Sequence, residues 1–313
     1  MEEKVKIIID TDLGADCDDV GALGVAFALE KRGRCQILAV GHCNLGEEGP
    51  QCIEILKNYY HCDFPIGVND FQEVKHNNTH KFDTLLIEKY RGYIKNTSYE
   101  NVVSLYRRVL AEQEDQSVVL ISIGTLTNLA ALARSSKDEI SPLSGKELIA
   151  KKVKKCVHMM GIIADGSGVT EFNHNQPFPE YNIECDIPSA REFLLQHEKP
   201  SYMLDFYDGV EVWTAGALFS HHVVSPITLS YEAYAKGASR SWDLLTVYYA
   251  ITGELYDTIG PGTWTIDEKG FSYFAKKAGG RDYYLRPNTS KEEIEKTIDD
   301  VLLELEGVKR DEQ

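Results

Sequence analysis

Ten residues near the start of the chain, Asp10-Thr11-Asp12-Leu13-Gly14-Ala15-Asp16-Cys17-Asp18-Asp19, hold five carboxylates. Packed together, five carboxylates repel and raise one another's pKa unless something neutralises them. A helix N-terminus supplies roughly half a positive charge, enough for Asp18 or Asp19 to serve as a cap. A hard divalent cation supplies the rest: Ca²⁺ takes about 6–8 oxygen ligands from carboxylates, carbonyls and water, and Mg²⁺ is possible with stricter geometry. The spacing is not that of an EF-hand, whose twelve-residue loop closes on a Glu. A metal site is the reading that uses all five.

Such a turn works only if something holds it. It follows Val5–Ile9, the first of five apolar runs that read as buried strands; the others are Ile37–Gly41, Val118–Ile123, Val153–Met160 and Ser201–Leu204. Most are nearly continuous rather than alternating in polarity, as expected of a parallel sheet covered on both faces. Helical patterns lie between them, at Val20–Glu30, Gln51–Tyr60, Asn101–Glu112, Leu126–Arg134 and Ser189–Gln196. The alternation predicts an α/β fold with a mostly parallel central sheet flanked by helices. Beyond about residue 205 the pattern predicts a mainly helical part, around Trp213–Ser220, Leu229–Lys236, Ser241–Ile251 and Lys291–Leu305. Without repeats, low-complexity tracts or a Gly/Ser/Pro linker, residues 1–313 read as one domain. Ligands of open α/β sheets bind beyond the carboxyl ends of the strands, so the segments that follow strands matter most. The long polar segment Asp165–Tyr181 reads as a functional loop.

Charge narrows the partners. The 313 residues carry 33 Lys and Arg against 49 Asp and Glu, a formal net charge of −16. Affinity for nucleic acid rests mainly on Lys and Arg neutralising phosphates, so this balance argues against a nucleic-acid partner. The one basic cluster, Lys146 to Lys155, reads as a solvated face. With 43% hydrophobic and 26% charged residues the chain can bury a sizeable core, which argues against wholesale disorder. Seven cysteines, with no CxxC pair and no His at zinc-ligand spacing, read as reduced thiols of a cytoplasmic protein. No stretch reaches the ~18–20 apolar residues of a membrane span. The opening MEEKVKIIID lacks the apolar region of a signal peptide, although a leader already removed would leave no trace.

The acidic turn resembles the N-terminal signature of the nucleoside hydrolases, the inosine-uridine-preferring N-ribohydrolase family, whose pattern is DxDxGxDDxxA. Here it reads DTDLGADCDDVGA, two residues longer. Asp10 and Asp12 match the leading DxD, and Asp18-Asp19-Val20-Gly21-Ala22 matches DDxxA. The resemblance implies Asp12 as Ca²⁺ ligand and general base, Asp19 as ligand, and Asp18 on the ribose hydroxyls; Asp16, in the insertion, becomes a candidate extra ligand. Later segments fall in the family's order. Gly41-His42-Cys43-Asn44 resembles a turn with a ribose-binding Asn, implying Asn44. Ile123-Gly124-Thr125-Leu126-Thr127-Asn128-Leu129-Ala130 resembles GxLTNxA, implying the Ile123 carbonyl as a calcium ligand; it also reads as a strand entering a helix with Thr127 as cap. Glu180-Tyr181-Asn182-Ile183, followed by Asp186, resembles EFNIxxDPxA, implying Glu180 and Asn182 on sugar hydroxyls. Gly209-Val210-Glu211-Val212 resembles a GLDVT-like segment of structural value. Ser241-Trp242-Asp243 stands where the family has HDxxA, implying Asp243 as the last calcium ligand. The resemblance covers roughly residues 5–250 and implies dimers or tetramers of a nucleoside salvage enzyme.

The chemistry implied is hydrolysis of a ribonucleoside's N-glycosidic bond to free base and ribose. Asp12 takes the proton of a calcium-bound water, and the metal orients the sugar. Carboxylates around the ring favour the positive charge that develops on it. The leaving base lacks the family's usual acid, because Trp242 replaces His and an indole N–H is no acid near neutral pH. Trp242 can line or stack on the base, and His174 in the long loop is the candidate acid, ahead of His221-His222. Two other readings compete. Asp10-Thr11-Asp12 after a strand also resembles the first motif of Mg²⁺-dependent haloacid-dehalogenase-type phosphatases, but Gly14 stands where that motif wants Thr or Val. A non-catalytic, calcium-containing protein that binds a ribosyl ligand is the other.

Overall fold

Apolar strands that are mostly continuous need cover on both faces, and the fold supplies it. The computed structural model describes residues 4–74, 82–96, 98–163 and 178–308. Twelve strands occur among them: β1 (Val5–Thr11), β2 (Cys35–His42), β3 (Ile66–Val68), β4 (Glu100–Asn101), β5 (Val118–Ser122), β6 (Val153–Met159), β7 (Ser201–Leu204), β8 (Trp213–Thr214), β9 (Ser239–Arg240), β10 (Tyr256–Ile266), β11 (Ser272–Lys276) and β12 (Asp282–Pro287). Ten form one sheet in the order β11-β10-β12-β7-β6-β5-β1-β2-β3-β4, and β8 pairs with β9 apart from it. From β4 across to β12 every pairing is parallel; only β10 runs antiparallel to its neighbours.

The strand β1 shows why the apolar run is continuous. Ile7 and Ile9 belong to one core cluster and Ile8 to the other, on opposite faces of the sheet. The helix Asp18–Lys31 that follows is buried from Asp18 to Leu29. The helix Asp243–Thr252 is equally apolar and packs in the same cluster. Burying each such Ile or Leu contributes roughly 1.5–3 kcal/mol, which holds the strand end beneath the acidic turn in place.

The five expected strands are all present, within two residues of their expected ends. The region after residue 205 departs from expectation: helices occur at Gly216–Ser220, Pro226–Ala235, Asp243–Thr252 and Lys291–Leu305, but β8 to β12 make it mixed rather than mainly helical. Two Gly and a Pro obscure the strand pattern of β10, YDTIGPGTWTI. The fold tolerates them because its register with β12 shifts between Ile259 and Gly262, so Pro261 removes no ladder donor. Only residues 178–181 of the segment Asp165–Tyr181 lie within the described residues, and His174 is outside them.

Candidate active site

The strand β1 ends at Thr11 and the helix begins at Asp18, so six residues turn the chain through the sheet's carboxyl edge. Gly14 sits at φ 130°, a conformation open to glycine and costly for other residues. The Thr11 hydroxyl accepts from the Leu13 N–H and donates to the Asp19 carboxylate, tying the strand end to the helix start. Asp16 accepts the N–H of Asp18 at 3.1 Å. From the other side, Asp18 Oδ2 accepts the main-chain N–H groups of Trp242 (2.8 Å) and Asp243 (3.0 Å). It thus satisfies two donors that the start of helix Asp243–Thr252 leaves open. Two helix N-termini converge on the acidic turn, each adding partial positive charge.

Asp16, Asp18, Asp19 and Asp243 each present a carboxylate oxygen, all within 4.8 Å of one another. Asp18, Asp19 and Asp243 are buried. Burial, then the neighbouring carboxylates, pushes Asp19 and Asp243 well above the ordinary carboxylate range. Asp12, outside the group of four, is pushed up to about 8 by burial and next by Asp16. No Lys, Arg or His lines the cavity among the described residues. Oxygens around one Ca²⁺ lie at most about 5 Å apart, given bond lengths of roughly 2.3–2.6 Å, so the group fits one hard cation.

The group forms one wall of a cavity of about 130 Å³. Asp12, Ile123, Glu180, Asn182, Trp242 and Asp243 all line it, as do Asp16, Asp18 and Asp19. Glu180 caps the short helix Tyr181–Cys185, accepting N–H groups of Asn182 (2.8 Å), Ile183 (3.2 Å) and Gly161 (3.1 Å). Burial nevertheless pushes its carboxyl up to about 7. Asn182 spends its amide on the Met159 carbonyl. Ile123 is tied to β1 by its N–H to the Asp10 carbonyl at 2.8 Å. Gly124 explains itself here: a Cβ at that position would lie 2.6 Å from the Asp12 nitrogen.

Several residues stand apart from expectation. Asn44 does not line the cavity; it donates to the Asp12 carbonyl at 3.2 Å and so steadies the turn from behind. Thr127 is not a helix cap: Leu126 holds that position, and the Thr127 hydroxyl reaches Asp186 Oδ2 at 2.5 Å. His221 and His222 are exposed and do not line the cavity. Trp242 donates its indole N–H to the Phe206 carbonyl at 2.8 Å and stacks on the Phe206 ring, centroids 5.5 Å apart at 25°. Sequence reasoning missed Phe206 and Met159, which complete the apolar wall. Their signal is positional, since both sit where β7 and β6 run out.

A family model described as inosine-uridine preferring nucleoside hydrolase matches residues 7–270. No curated protein sequence matches the chain. Solved structures with similar folds include a plant nucleoside hydrolase, 16% identical with TM-score 0.72, covering 96% of this chain and 99% of its own. An inosine-uridine preferring nucleoside hydrolase from Bacillus anthracis is 15% identical with TM-score 0.72, covering 98% and 100%. A type III effector protein complexed with adenosine diphosphate ribose is 12% identical with TM-score 0.67, covering 96% and 94%.

Proposed function

The chain belongs to the inosine-uridine preferring nucleoside hydrolase family, and on that premise we propose that it splits a ribonucleoside, or a related ribosyl compound, into base and ribose with Ca²⁺ as its metal. The observation that carries this reading is the four-carboxylate group at the end of β1, inside a cavity without a cationic side chain among the described residues. Asp16, Asp19 and Asp243 would hold the ion, with Asp12 and the Ile123 carbonyl beside them. When bound, the ion supplies Lewis acidity, acidifying water and orienting vicinal hydroxyls.

The chain's own residues do the rest. The Asp12 carboxylate takes the proton of the attacking water as general base. Its main-chain carbonyl is held by Asn44 and its nitrogen abuts Gly124, which fixes its direction. Asp18, Glu180 and Asn182 bind sugar hydroxyls; Glu180 is held in place by three backbone N–H groups. The surrounding carboxylates stabilise the positive charge that develops on the sugar. Trp242 offers the base a ring rather than a proton, because its N–H is already given to Phe206. His174 is the acid of the leaving base.

Membership in this family sets aside the haloacid-dehalogenase-type phosphatase. Seven free thiols support a cytoplasmic setting, where the enzyme acts in nucleoside salvage as a homodimer or homotetramer. No helix of the described residues is long and apolar enough to cross a membrane. The test is a panel of purine, pyrimidine and modified nucleosides, with ADP-ribose added because one structural neighbour holds it, assayed for released base with and without Ca²⁺. Release of base that requires Ca²⁺ is expected; tight binding without turnover would replace hydrolysis by the ligand-binding reading.

A further inference from the structure

Trp242 rests on a mount of its own. The one-turn helix Phe206–Gly209 follows β7 and touches Trp242 three ways: the Phe206 ring, the Phe206 carbonyl and the backbone of Gly209. A Cβ on Gly209 would lie 2.2 Å from the Trp242 ring and 2.3 Å from the Ser241 carbonyl oxygen. The turn cannot shift without moving the indole.

What holds the turn is an ion cluster outside the cavity. Asp205 and Asp208 form a capping box around it and are both buried. Asp205 accepts N–H groups of Tyr207 (2.9 Å), Asp208 (3.2 Å) and Ile163 (3.1 Å). Asp208 has fewer ties: it meets the Asp205 N–H at 3.3 Å and the Arg286 guanidinium at 2.9 and 3.0 Å. Arg286 reaches Asp205 Oδ2 as well, at 3.3 Å, and its guanidinium lies 4.7 Å from the Tyr284 ring centroid. Two buried carboxylates side by side repel, and this one fork bridges both.

We propose that Arg286, at the end of β12, is a positioning residue for the base subsite: by bridging Asp205 and Asp208 it fixes the turn that carries Trp242. Arg286 touches neither the cavity nor the carboxylate group. The proposal rests on the reading that the cavity takes a nucleoside with its base against Trp242. Without the guanidinium Asp208 gives way first, having the fewer anchors, and Gly209 and Trp242 follow.

The experiment uses the full chain labelled with 5-fluorotryptophan, its three ¹⁹F resonances assigned by single Trp→Phe variants. Arg286→Gln is expected to shift the Trp242 resonance and leave that of Trp213 in place. With inosine, KM rises about tenfold while kcat and inhibition by free ribose stay within about twofold, the pattern of lost base binding alone. Arg286→Lys recovers part of the loss, since an ammonium cannot fork two carboxylates. Gly209→Ala, which pushes on the ring directly, reproduces both effects in a protein whose ion cluster is intact. An unmoved Trp242 resonance in Arg286→Gln, or equal losses of base and ribose affinity, would overturn the proposal. Should the unsubstituted protein release no base from any nucleoside, the nucleoside reading falls, and the ¹⁹F comparison alone decides the role of Arg286.

Discussion

The ends of β1 and β7 both bury clustered carboxylates, and they balance them differently. After β7, Asp205 and Asp208 share the guanidinium of Arg286, so the sequence supplies its own cation. After β1, the carboxylates of Asp16, Asp18, Asp19 and Asp243 are met by backbone donors, the Thr11 hydroxyl and two helix starts, with no cationic side chain in the lining among the described residues. Partial charges of about half a unit per helix cannot offset four carboxylates. The difference teaches which cluster is structure and which is a receptor. A cluster closed by its own Arg fixes a turn, whereas one left open calls for an ion from solution.

The sharpest way to break this comparison is to remove an oxygen from the open cluster. Asp243→Ala and Asp12→Asn should each lower turnover by about 10³-fold or more and reduce bound calcium, read by base release and elemental analysis. Near-normal turnover in purified Asp12→Asn would refute its role as base. Chelation should next abolish activity and lower Tm by roughly 5–10 °C, both restored by Ca²⁺, since a ligand bound only to the folded state stabilises it. The Arg286 cluster predicts no such response of its own.

A third buried group balances itself by staying neutral. His158 on β6 is fully buried, packs edge-on against Phe193, and neither ring nitrogen has a hydrogen-bond partner among the described residues. Burial lowers its pKa to about 3. The folded value lies below the unfolded one near 6.5, so the unfolded chain binds the extra proton between them. Stability from this group is present at pH 7 and lost as pH falls from about 6.5 toward 3, by ~1.4 kcal/mol per unit at most. His158→Leu should flatten that part of a Tm-against-pH curve, and an unchanged slope would count against it. The smallest effect is one of sign. In metal-free protein Asp19→Asn should raise Tm by about 1–3 °C by relieving repulsion, yet lower it once Ca²⁺ is present. Asp205→Asn should lower Tm in both states.

Legibility in the sequence followed distance along the chain. The acidic turn could be read because Asp10 to Asp19 are contiguous, and the strands beneath it because β5 and the centre of β1 are apolar on both faces. Asp243 was legible only through resemblance to a family pattern, since nothing local to it marks a partner at Asp18. The strands β3 and β4, of three and two residues, are too short to leave a period. The hairpin of β10 and β11 hid behind Gly and Pro. Phe206 escaped notice because its role is to carry another side chain, which no spacing rule encodes. Asn44 shows another limit: resemblance to a family turn suggested a sugar contact, and nothing in the sequence announced that its amide also donates to the Asp12 carbonyl.

Asp18 meets Trp242 and Asp243 across sequence separations of 224 and 225. A chain made at roughly 5–20 residues per second exposes its acidic turn for ten seconds or more before those partners exist. During that interval the carboxylates are solvated and flexible, too dispersed to grip an ion firmly. On the proposed metal reading the last ligand, Asp243, would arrive only when the helix Asp243–Thr252 docks, against the entropy of closing a very long loop. Cation capture would then wait on that docking, and the rate at which newly made chains take up metal should time it.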